Sequence, residues 1–384
     1  MKPIANKIFI CAGETSGDIH ASSVIRAIQS VNAQSEFYGV AGPAMYEAGC
    51  TAIHHMHELN VMGIGDVIRA LPRIRRIEAS LCAWVRENQP DIVILVDFPG
   101  FNMRLGKKFK ALGIPVLHYI APKLWAWGAW RAKKLEKSQD CLASILPFEV
   151  EWFQKHHIEA RYVGNPSAIS CRAGWSRKEL NEKLGVSDQD FLLTLLPGSR
   201  PGELLRHTQL LADVNRVVKA QFPHLKTVVT RAPGVTDEQL RPLLDSDVML
   251  IDRMAEGYAM RTDAAIAVSG TATLELALWD VPTVLVYRGS KTTAWLARKL
   301  VQIRCVGLAN ILLGDQPVMP ELLQEEAIVE NIVQTFTAII AGKEAKKQRE
   351  KFSELRRLLG NSDPAKNVAK LTFQMIEDKR INHP

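Results

Sequence analysis

The sequence of 384 residues has little that would place it in or across a membrane. It contains no run of about 18 apolar residues, the length that a helix needs to cross a bilayer. Its first apolar run, residues 8–12, is shorter than the core of a signal peptide. We therefore expect neither a membrane-spanning helix nor secretion.

Cysteine pairs and the common nucleotide fingerprints are also absent. The six cysteines form no C-x-x-C pair and show no zinc-ligand spacing to histidine, as expected in a reducing cytosol. Neither G-x-G-x-x-G nor G-x-x-x-x-G-K-[ST] occurs, which argues against a dinucleotide-dependent dehydrogenase and a P-loop ATPase. With 47% hydrophobic and 23% charged residues, the sequence is that of a globular protein, and its length predicts two domains.

Positive charge is concentrated in one region, although the net charge is only +7. Residues 69–137 contain 14 Lys or Arg residues against 5 Asp or Glu. Such a region suits nucleic acid, an anionic membrane surface or a phosphorylated ligand, and the alternative is an ordinary solvated helix face.

Short apolar runs alternate with helix-like segments throughout the sequence. The predicted strands are residues 7–12, 37–41, 92–96, 116–120 and 142–146, then 192–196, 227–230, 248–251, 264–268 and 283–287. This alternation predicts an α/β protein with two doubly wound, Rossmann-like domains that face each other across a cleft. We expect domains at residues 1–166 and 175–342, followed by C-terminal helices at 343–384 that either cap the second domain or pack back on the first.

Two carboxylates follow predicted strands of the first domain. Glu14 lies in the turn of residues 12–18, and Asp97 comes directly after the apolar run 92–96. Partial burial would raise the pKa of Asp97 toward the range of a general base. Alternatively, Glu14 and Asp18 only complement a helix dipole and Asp97 only caps a turn. The sequence leaves open which of Glu14 and Asp97 is the base.

The second domain begins with a strand that leads through a glycine-containing turn into a helix. In this turn, Gly198, Ser199 and Arg200 would combine backbone N–H donors, the positive end of the helix dipole and a cation. The pattern predicts an anion site.

A second turn of the same kind follows the predicted strand 264–268. Its small residues Ser269, Gly270 and Thr271 would admit a pyrophosphate to the helix N-terminus, and Glu275 would accept hydrogen bonds from a ribose diol. Together the two turns predict a nucleoside diphosphate ligand.

The basic region contains a cluster of aromatic residues. Trp125, Trp127 and Trp130 lie beside Arg131, a composition typical of a membrane-interface element. A pocket lining is the alternative, and base stacking fits less well because no nucleic-acid-binding module is recognisable.

A basic stripe precedes the aromatic cluster. Arg69, Arg73 and Arg76 would share one side of any helix through residues 64–84, although we expect Pro72 to split that helix. The stripe and the aromatic cluster together predict reversible adsorption to an anionic membrane surface.

Two apparent metal motifs are not interpreted as such. His54, His55 and His57 lie in what we expect to be a loop, without a second cluster of ligands. Asp245 and Asp247 spell D-x-D, but they precede a predicted strand, so we predict a turn. No metal and no cofactor are expected.

With these motifs in place, the sequence resembles the lipid-A-disaccharide synthases, inverting glycosyltransferases of the two-domain GT-B architecture. The resemblance covers nearly the whole chain. Its motifs are residues 12–18, 97–102, 118–127, 146–149, 196–203, 269–275 and 320–324. The sequence departs from the family at Asn165, where a histidine is common, and at Ala309, where a proline is common, while Asn310 is retained.

The resemblance implies transfer of 2,3-diacylglucosamine from its UDP derivative to the 6-hydroxyl of 2,3-diacylglucosamine 1-phosphate. It implies inversion, a β(1→6) disaccharide product and an enzyme at the cytoplasmic face of the inner membrane, with no nucleic acid partner and with a homodimer as one option. On this basis we expect Arg288 and Asn310 to join the donor-binding residues, and Ser16 and Asn102 to bind the acceptor. A UDP-sugar epimerase on the same scaffold and a non-enzymatic lipid or nucleotide carrier are the alternatives.

Overall fold

The structure, a computed structural model, describes residues 5–59, 64–171, 176–252, 261–290 and 303–382. Contacts divide the chain into two compact units. The first comprises Met1–Pro166 and Asn361–Pro384, and the second is Ser167–Gly360.

The first unit is built on a seven-stranded parallel sheet with the strand order β3-β2-β1-β4-β5-β6-β7. Its strands are β1 (Lys7–Ala12), β2 (Glu36–Ala41), β3 (Cys50–His55), β4 (Ile92–Val96), β5 (Val116–Tyr119), β6 (Cys141–Ser144) and β7 (Ala160–Tyr162). Every residue of β4 is buried, as expected for a central strand covered by helices on both faces.

Helices cover both faces of this sheet. They are α1 (Thr15–Val31), α2 (Pro43–Glu47), α3 (Ile64–Asn88), α4 (Pro99–Lys110), α5 (Ala132–Glu136) and α6 (Pro147–Gln154). On one face, residues of α1 pack against the last helix of the chain, and on the other face residues of α3 and α4 form a second core cluster. The unit therefore has a core on each side of its sheet.

The second unit has a six-stranded parallel sheet with the strand order β10-β9-β8-β11-β12-β13. Its strands are β8 (Phe191–Leu196), β9 (Leu225–Arg231), β10 (Met249–Asp252), β11 (Ala264–Val268), β12 (Thr283–Tyr287) and β13 (Glu321–Leu323). Its described helices are α7 (Pro166–Ser170), α8 (Arg177–Leu184), α9 (Pro201–Gln221), α10 (Asp237–Leu244), α11 (Ala272–Leu278), α12 (Leu308–Leu312), α13 (Val329–Ile340) and α14 (Lys343–Leu359). The two sheets confirm the prediction of two doubly wound domains.

The two C-terminal helices belong to different units. Helix α14 packs against α11 and α13 of the second unit, whereas α15 (Pro364–Asn382) packs against α1 of the first. Asn367 holds α15 on the first unit, because its side-chain amide donates a hydrogen bond of 2.8 Å to the carbonyl of Val163.

Two local expectations from the sequence were wrong, and one strand was missed. The segment containing His54 and His55 is strand β3, and His57 follows it in a short 3-10 helix (Met56–Leu59) rather than a loop. Helix α3 continues through Pro72 instead of splitting there. Strand β13 was not predicted, because three residues are too few for a periodic pattern. Among the helices of the described ranges, none is both long and apolar enough to span a bilayer.

Candidate functional site

The chain reverses its winding direction in the first unit between β1 and β4, which are adjacent although they are far apart in sequence. Parallel α/β sheets bind ligands in the crevice outside the carboxyl ends of the strands at such a switch point. Glu14 follows β1 and Asp97 follows β4. The two predicted carboxylates therefore flank the crevice where the fold favours a ligand.

The turn after β4 has an unusual backbone. Asp97 and Phe98 both adopt positive φ angles, 47° and 48°, although neither is glycine. Such conformations cost energy and are common at functional sites. The ring of Phe98 lies against Gly13, where a Cβ atom would come within 2.3 Å of Phe98 Cδ1. Glycine at position 13 thus brings the turns after β1 and β4 together.

The environment of Asp97 favours its protonated form. Burial is the main cause of its raised pKa, and the neighbouring charge of Glu14 raises the pKa further. The Phe98 backbone and the ammonium of Lys123 oppose part of this shift. Glu14 itself lies exposed at the N-cap position of α1, and its side chain forms no capping hydrogen bond. This geometry suits Asp97 to accept a proton at a pH above the range of an ordinary aspartate.

Asp18 lies in the first turn of α1, where an acidic residue complements the helix dipole, and it also has partners outside that helix. Its buried carboxylate accepts hydrogen bonds from the backbone N–H groups of Gly42, Ala44 and Met45, at 3.0, 2.9 and 3.1 Å. These groups lie at the N-terminus of α2, so Asp18 joins α1 to α2.

Asn102 was expected to bind the acceptor, but its side chain is fully buried. Its amide nitrogen donates to the carbonyls of Val96 and Asp97, at 3.2 and 2.8 Å. Asn102 therefore fixes the backbone that carries Asp97 rather than reaching a ligand. Ser16, the other expected acceptor contact, is exposed near the start of α1.

His118 is a buried titratable residue close to this turn. Local sequence offered no separate signal for it. It lies on β5, beside Leu95 of β4, and burial lowers its pKa to about 4. The Asp97 backbone opposes part of that shift, although neither ring nitrogen has a hydrogen-bond partner of ordinary geometry among the described residues. His118 is consequently neutral at physiological pH.

Glu149 forms a buried polar cluster that sequence reasoning missed. Its carboxylate accepts a hydrogen bond of 2.9 Å from Trp125 Nε1 and another from the hydroxyl of Ser144. Burial raises the pKa of Glu149 to about 7, against the opposing effect of these hydrogen bonds. The sequence signal for this cluster was the position of Glu149 at the start of a helix, in the motif of residues 146–149. By itself, a glutamate at that position resembles an ordinary acidic residue in the first turn of a helix.

The second unit has a switch point between β8 and β11. The turn after β8 contains Gly198, whose φ is 102°, and the exposed Arg200. However, the carboxylate of Glu203 accepts hydrogen bonds from the backbone N–H groups of Ser199 and Arg200, at 3.1 and 3.2 Å. The expected backbone anion site is thus occupied by a side chain. The Arg200 guanidinium is 83% exposed, although it also lies 3.6 Å from Glu203 Oε1.

The turn after β11 lies on the other side of the same switch point. Ser269 donates a hydrogen bond of 3.1 Å to the carbonyl of Val306, and a Cβ atom at Gly270 would meet open space. Thr271 is the N-cap residue of α11 and makes no capping hydrogen bond with its side chain. Glu275 is buried one turn into the helix. An open turn at a helix N-terminus is compatible with a bound diphosphate.

Arg288 is held by a chain of hydrogen bonds that starts on α9. His207 is fully buried; its Nδ1 donates to the carbonyl of Glu203 at 2.7 Å, and its Nε2 accepts from the Arg288 N–H at 2.8 Å. Burial lowers the pKa of His207, in agreement with this neutral tautomer. The Arg288 guanidinium donates to the carbonyl of Ala327. These bonds tie the first turns of α9 to the residue that follows β12.

Asn310 was expected to contact the ligand and does not have the geometry for it. Its fully buried amide donates to the Met319 carbonyl and to Glu321 Oε1, at 2.8 and 2.7 Å, and accepts from the Met319 N–H. Glu321 also accepts the backbone N–H groups of Val306 and Gly307, at 2.8 and 2.9 Å. Asn310 and Glu321 therefore shape the loop before α12, which Ser269 contacts.

The aromatic cluster is divided between the interior and the surface. Trp127 and Trp130 are 51% and 82% exposed, and Arg131 stacks 5.8 Å from the Trp127 ring centre. Trp125 is only 6% exposed, so the expectation that it contacts the membrane was wrong. Its indole N–H instead donates a hydrogen bond to the carboxylate of Glu149.

The basic stripe lies on α3. Arg73 and Arg76 are exposed, and the side chain of Arg69 lies outside the described residues. Leu71 is also exposed on this helix. The surface therefore combines cations with an apolar group, as adsorption to an anionic interface requires.

The two apparent metal motifs have other partners. His54 Nδ1 lies 3.1 Å from Glu58 Oε2, and the Tyr46 hydroxyl bonds to His55. Asp245, at the C-cap of α10, and Asp247 lie in a turn. Within the described ranges, no three His, Cys, Asp or Glu side chains are grouped as metal ligands.

Comparison with known protein families identifies close sequence relationships. The sequence model of the lipid-A-disaccharide synthetase family matches residues 8–373. The lipid-A-disaccharide synthase of Myxococcus xanthus is 34% identical over 98% of this chain and 99% of its own length. The enzyme of Trichlorobacter lovleyi is 35% identical over 97% and 98%.

Solved structures share the fold at much lower identity. A putative UDP-N-acetylglucosamine 2-epimerase from Listeria monocytogenes has a TM-score of 0.69 at 12% identity and covers 100% of this chain and 99% of its own. MurG from Acinetobacter baumannii has a TM-score of 0.58 at 15% identity, with 97% and 100% covered. These similarities show a shared architecture.

Proposed function

This chain belongs to the lipid-A-disaccharide synthase family, and from that premise we propose what each of its two units does in the glycosyl transfer. The chain is a glycosyltransferase that forms the lipid A disaccharide from a UDP-sugar and an acceptor. The sugar transferred is 2,3-diacylglucosamine, and the acceptor is the 6-hydroxyl of 2,3-diacylglucosamine 1-phosphate. We assign the acceptor to the first unit and the UDP group to the second.

Asp97 is the general base in this proposal. It takes the proton from the acceptor 6-hydroxyl while that oxygen bonds to the anomeric carbon of the donor. The bond to the diphosphate breaks, and UDP leaves with the electron pair, so one displacement inverts the configuration. The observation that carries this role is the turn formed by Asp97 and Phe98 at the switch point of the sheet. Both residues have positive φ angles, and the pKa of Asp97 is raised.

The second unit binds the donor. The exposed Arg200 guanidinium pairs with the diphosphate and stabilises its growing charge as UDP leaves. Ser269, Gly270 and Thr271 offer an open turn at the N-terminus of α11, and Glu275 accepts the ribose hydroxyls. Because Arg288 is fixed through His207, it acts beside these groups from a defined position.

The first unit also adsorbs to the anionic cytoplasmic face of the inner membrane in this proposal. The acyl chains of both substrates reside in a lipid leaflet, and the support lies in the exposed Trp127, Trp130, Arg73 and Arg76. Attraction of basic residues combined with shallow aromatic insertion gives reversible binding.

Mass spectrometry of the reaction products tests the function directly. We expect a disaccharide 1-phosphate and one equivalent of UDP when the protein is mixed with UDP-diacylglucosamine and diacylglucosamine 1-phosphate. An epimerase would instead return a rearranged UDP-sugar without any need for the acceptor, and a carrier would release no UDP.

A further inference from the structure

Lys123 is the exposed residue within an otherwise buried stretch of the loop after β5. Ala121, Pro122, Leu124 and Trp125 on either side of it are all buried. An exposed lysine usually belongs to an exposed segment, where its position is poorly defined. Here the neighbouring residues pack into the unit while one ammonium group reaches solvent.

The backbone around Lys123 is anchored on both sides. The Leu124 N–H donates to the Pro122 carbonyl at 2.7 Å, and the Ala126 N–H donates to the Lys123 carbonyl at 3.2 Å. Trp125 is fixed by its 2.9 Å bond to the buried Glu149. Because the attachment point is fixed before a ligand arrives, binding an anion there orders only one side chain.

The position of this loop places Lys123 at the proposed catalytic edge. Strand β5 pairs with β4, and the Asp97 N–H donates to the Tyr119 carbonyl at 2.8 Å. The Lys123 ammonium is near enough to lower the pKa of both Asp97 and Glu149, yet the described residues offer it no ion pair within 4 Å. It is a cation beside the base without a committed partner in the described ranges.

We propose that Lys123 binds the phosphate of the acceptor and so selects phosphorylated acceptors. The inference rests on the proposed role of Asp97, because a base in contact with the 6-hydroxyl holds the rest of the same sugar, and its 1-phosphate, at this edge of the sheet. A lysine whose backbone is fixed at the same edge supplies the charge that a phosphomonoester requires.

Another role for this charge is as a counter-ion for Asp97. In that case removal of the charge would impair every acceptor equally. The two roles therefore separate when the acceptor phosphate and the lysine are removed independently.

The test compares two acceptors in detergent micelles at low salt, which removes any contribution from membrane adsorption. One is diacylglucosamine 1-phosphate, and the other is the same lipid with a methyl glycoside in place of the phosphate. The variants are Lys123→Gln, Lys123→Arg and, as the charge-matched control, Lys155→Gln, which removes an exposed lysine at the end of α6.

We expect wild type to prefer the phosphorylated acceptor. At a pH above the acidic limb, Lys123→Gln should raise KM for that acceptor about tenfold, the effect of losing one exposed charge-assisted hydrogen bond, and should leave KM for the methyl glycoside and for the donor unchanged. Because Lys123 lowers the pKa of Asp97, the acidic limb should move to higher pH on both acceptors. Lys123→Arg should retain the preference, and Lys155→Gln should behave as wild type.

Three results would overturn the proposal. The first is a wild-type enzyme that does not distinguish the acceptors, and the second is a Lys123→Gln variant with an unchanged preference. The third is an equal loss on both acceptors at a pH above the acidic limb, which would make Lys123 only a counter-ion of Asp97. Failure of the proposed function has a different signature, because wild type would then form no disaccharide from either acceptor.

Discussion

Trp125 and Glu149 form a buried hydrogen bond of 2.9 Å between the indole N–H and a carboxylate oxygen. The bond joins the loop after β5 to the first turn of α6, and the Ser144 hydroxyl at the end of β6 bonds to the same carboxyl group. Two neighbouring strand ends are thereby held together beneath the exposed Trp127. A polar cluster of this kind is stabilising only while each member keeps its partner.

Glu149→Gln should make stability less dependent on pH. Because the folded pKa of Glu149 is about 7, above that of an ordinary glutamate, the folded state binds the proton more tightly and wild type loses stability as pH rises from about 4.5 to 7. The difference in free energy of unfolding between variant and wild type should shift in favour of the variant by about 3 kcal/mol over that interval. Urea titrations at several pH values measure it.

The matched control is Glu151→Gln, on the exposed face of the same helix. It should show no shift of that direction and size. A constant difference between Glu149→Gln and wild type across the interval would mean that the buried carboxyl does not titrate there.

Asp97→Asn should reduce kcat by at least about 100-fold, the usual contribution of a general base. Glu14→Gln should keep much of the activity but move the acidic limb of kcat/KM to lower pH, because it removes a charge that raises the pKa of Asp97. Activity profiles between about pH 4 and 9 separate the two roles. A larger loss in Glu14→Gln than in Asp97→Asn would transfer the role of base to Glu14.

Arg200→Ala should weaken UDP binding by about 1.5–3 kcal/mol, the range for a charge-assisted hydrogen bond. Arg200 is 83% exposed, so its removal should leave the fold intact. Arg216→Ala, an exposed arginine on α9 that pairs with Asp213, is the control and should bind UDP normally. Calorimetry decides, and unchanged affinity in both Arg200→Ala and Glu275→Ala would place the nucleotide elsewhere.

Treatment with EDTA should leave full activity. The proposed diphosphate clamp consists of Arg200 and the N-terminus of α11, which supply the positive charge without an ion. Activity assays before and after dialysis against the chelator measure this. Restoration of an inactivated sample by Mg²⁺ or Mn²⁺ would contradict the prediction.

Binding to anionic vesicles should depend on surface residues of the first unit. It should fall as NaCl rises toward about 1 M, because salt screens the contribution of about 1 kcal/mol that each basic residue makes. Changing Arg69, Arg73 and Arg76 together to Glu should weaken sedimentation with vesicles, as should Trp130→Ala. Trp125→Ala should instead lower the melting temperature, because that side chain is buried. Equal binding to neutral and anionic vesicles would show that the basic stripe is only a solvated helix face.

The sequence by itself determined the architecture and the strand ends that are candidates for ligand binding. Alternating apolar runs and helical segments specify parallel α/β layers, because strands buried on both faces must be apolar throughout, as β4 and β11 are. The residues that follow such strands lie at the carboxyl edge, so Glu14, Asp97 and Arg200 were predictable as candidates from local sequence.

Only the tertiary structure decided which polar side chains remain available to a ligand. Asn310 and Asn102 resemble ligand contacts in sequence, yet both are fully buried, and their side-chain NH2 groups donate to Met319, Glu321, Val96 and Asp97, which come close only after folding. Trp125 belongs to a surface-like motif and is buried because Glu149, 24 residues further on, accepts its N–H. Local sequence specifies the helix, strand or turn on which a side chain lies. Its hydrogen-bond partner and its exposure depend on contacts between distant segments, which no local pattern encodes.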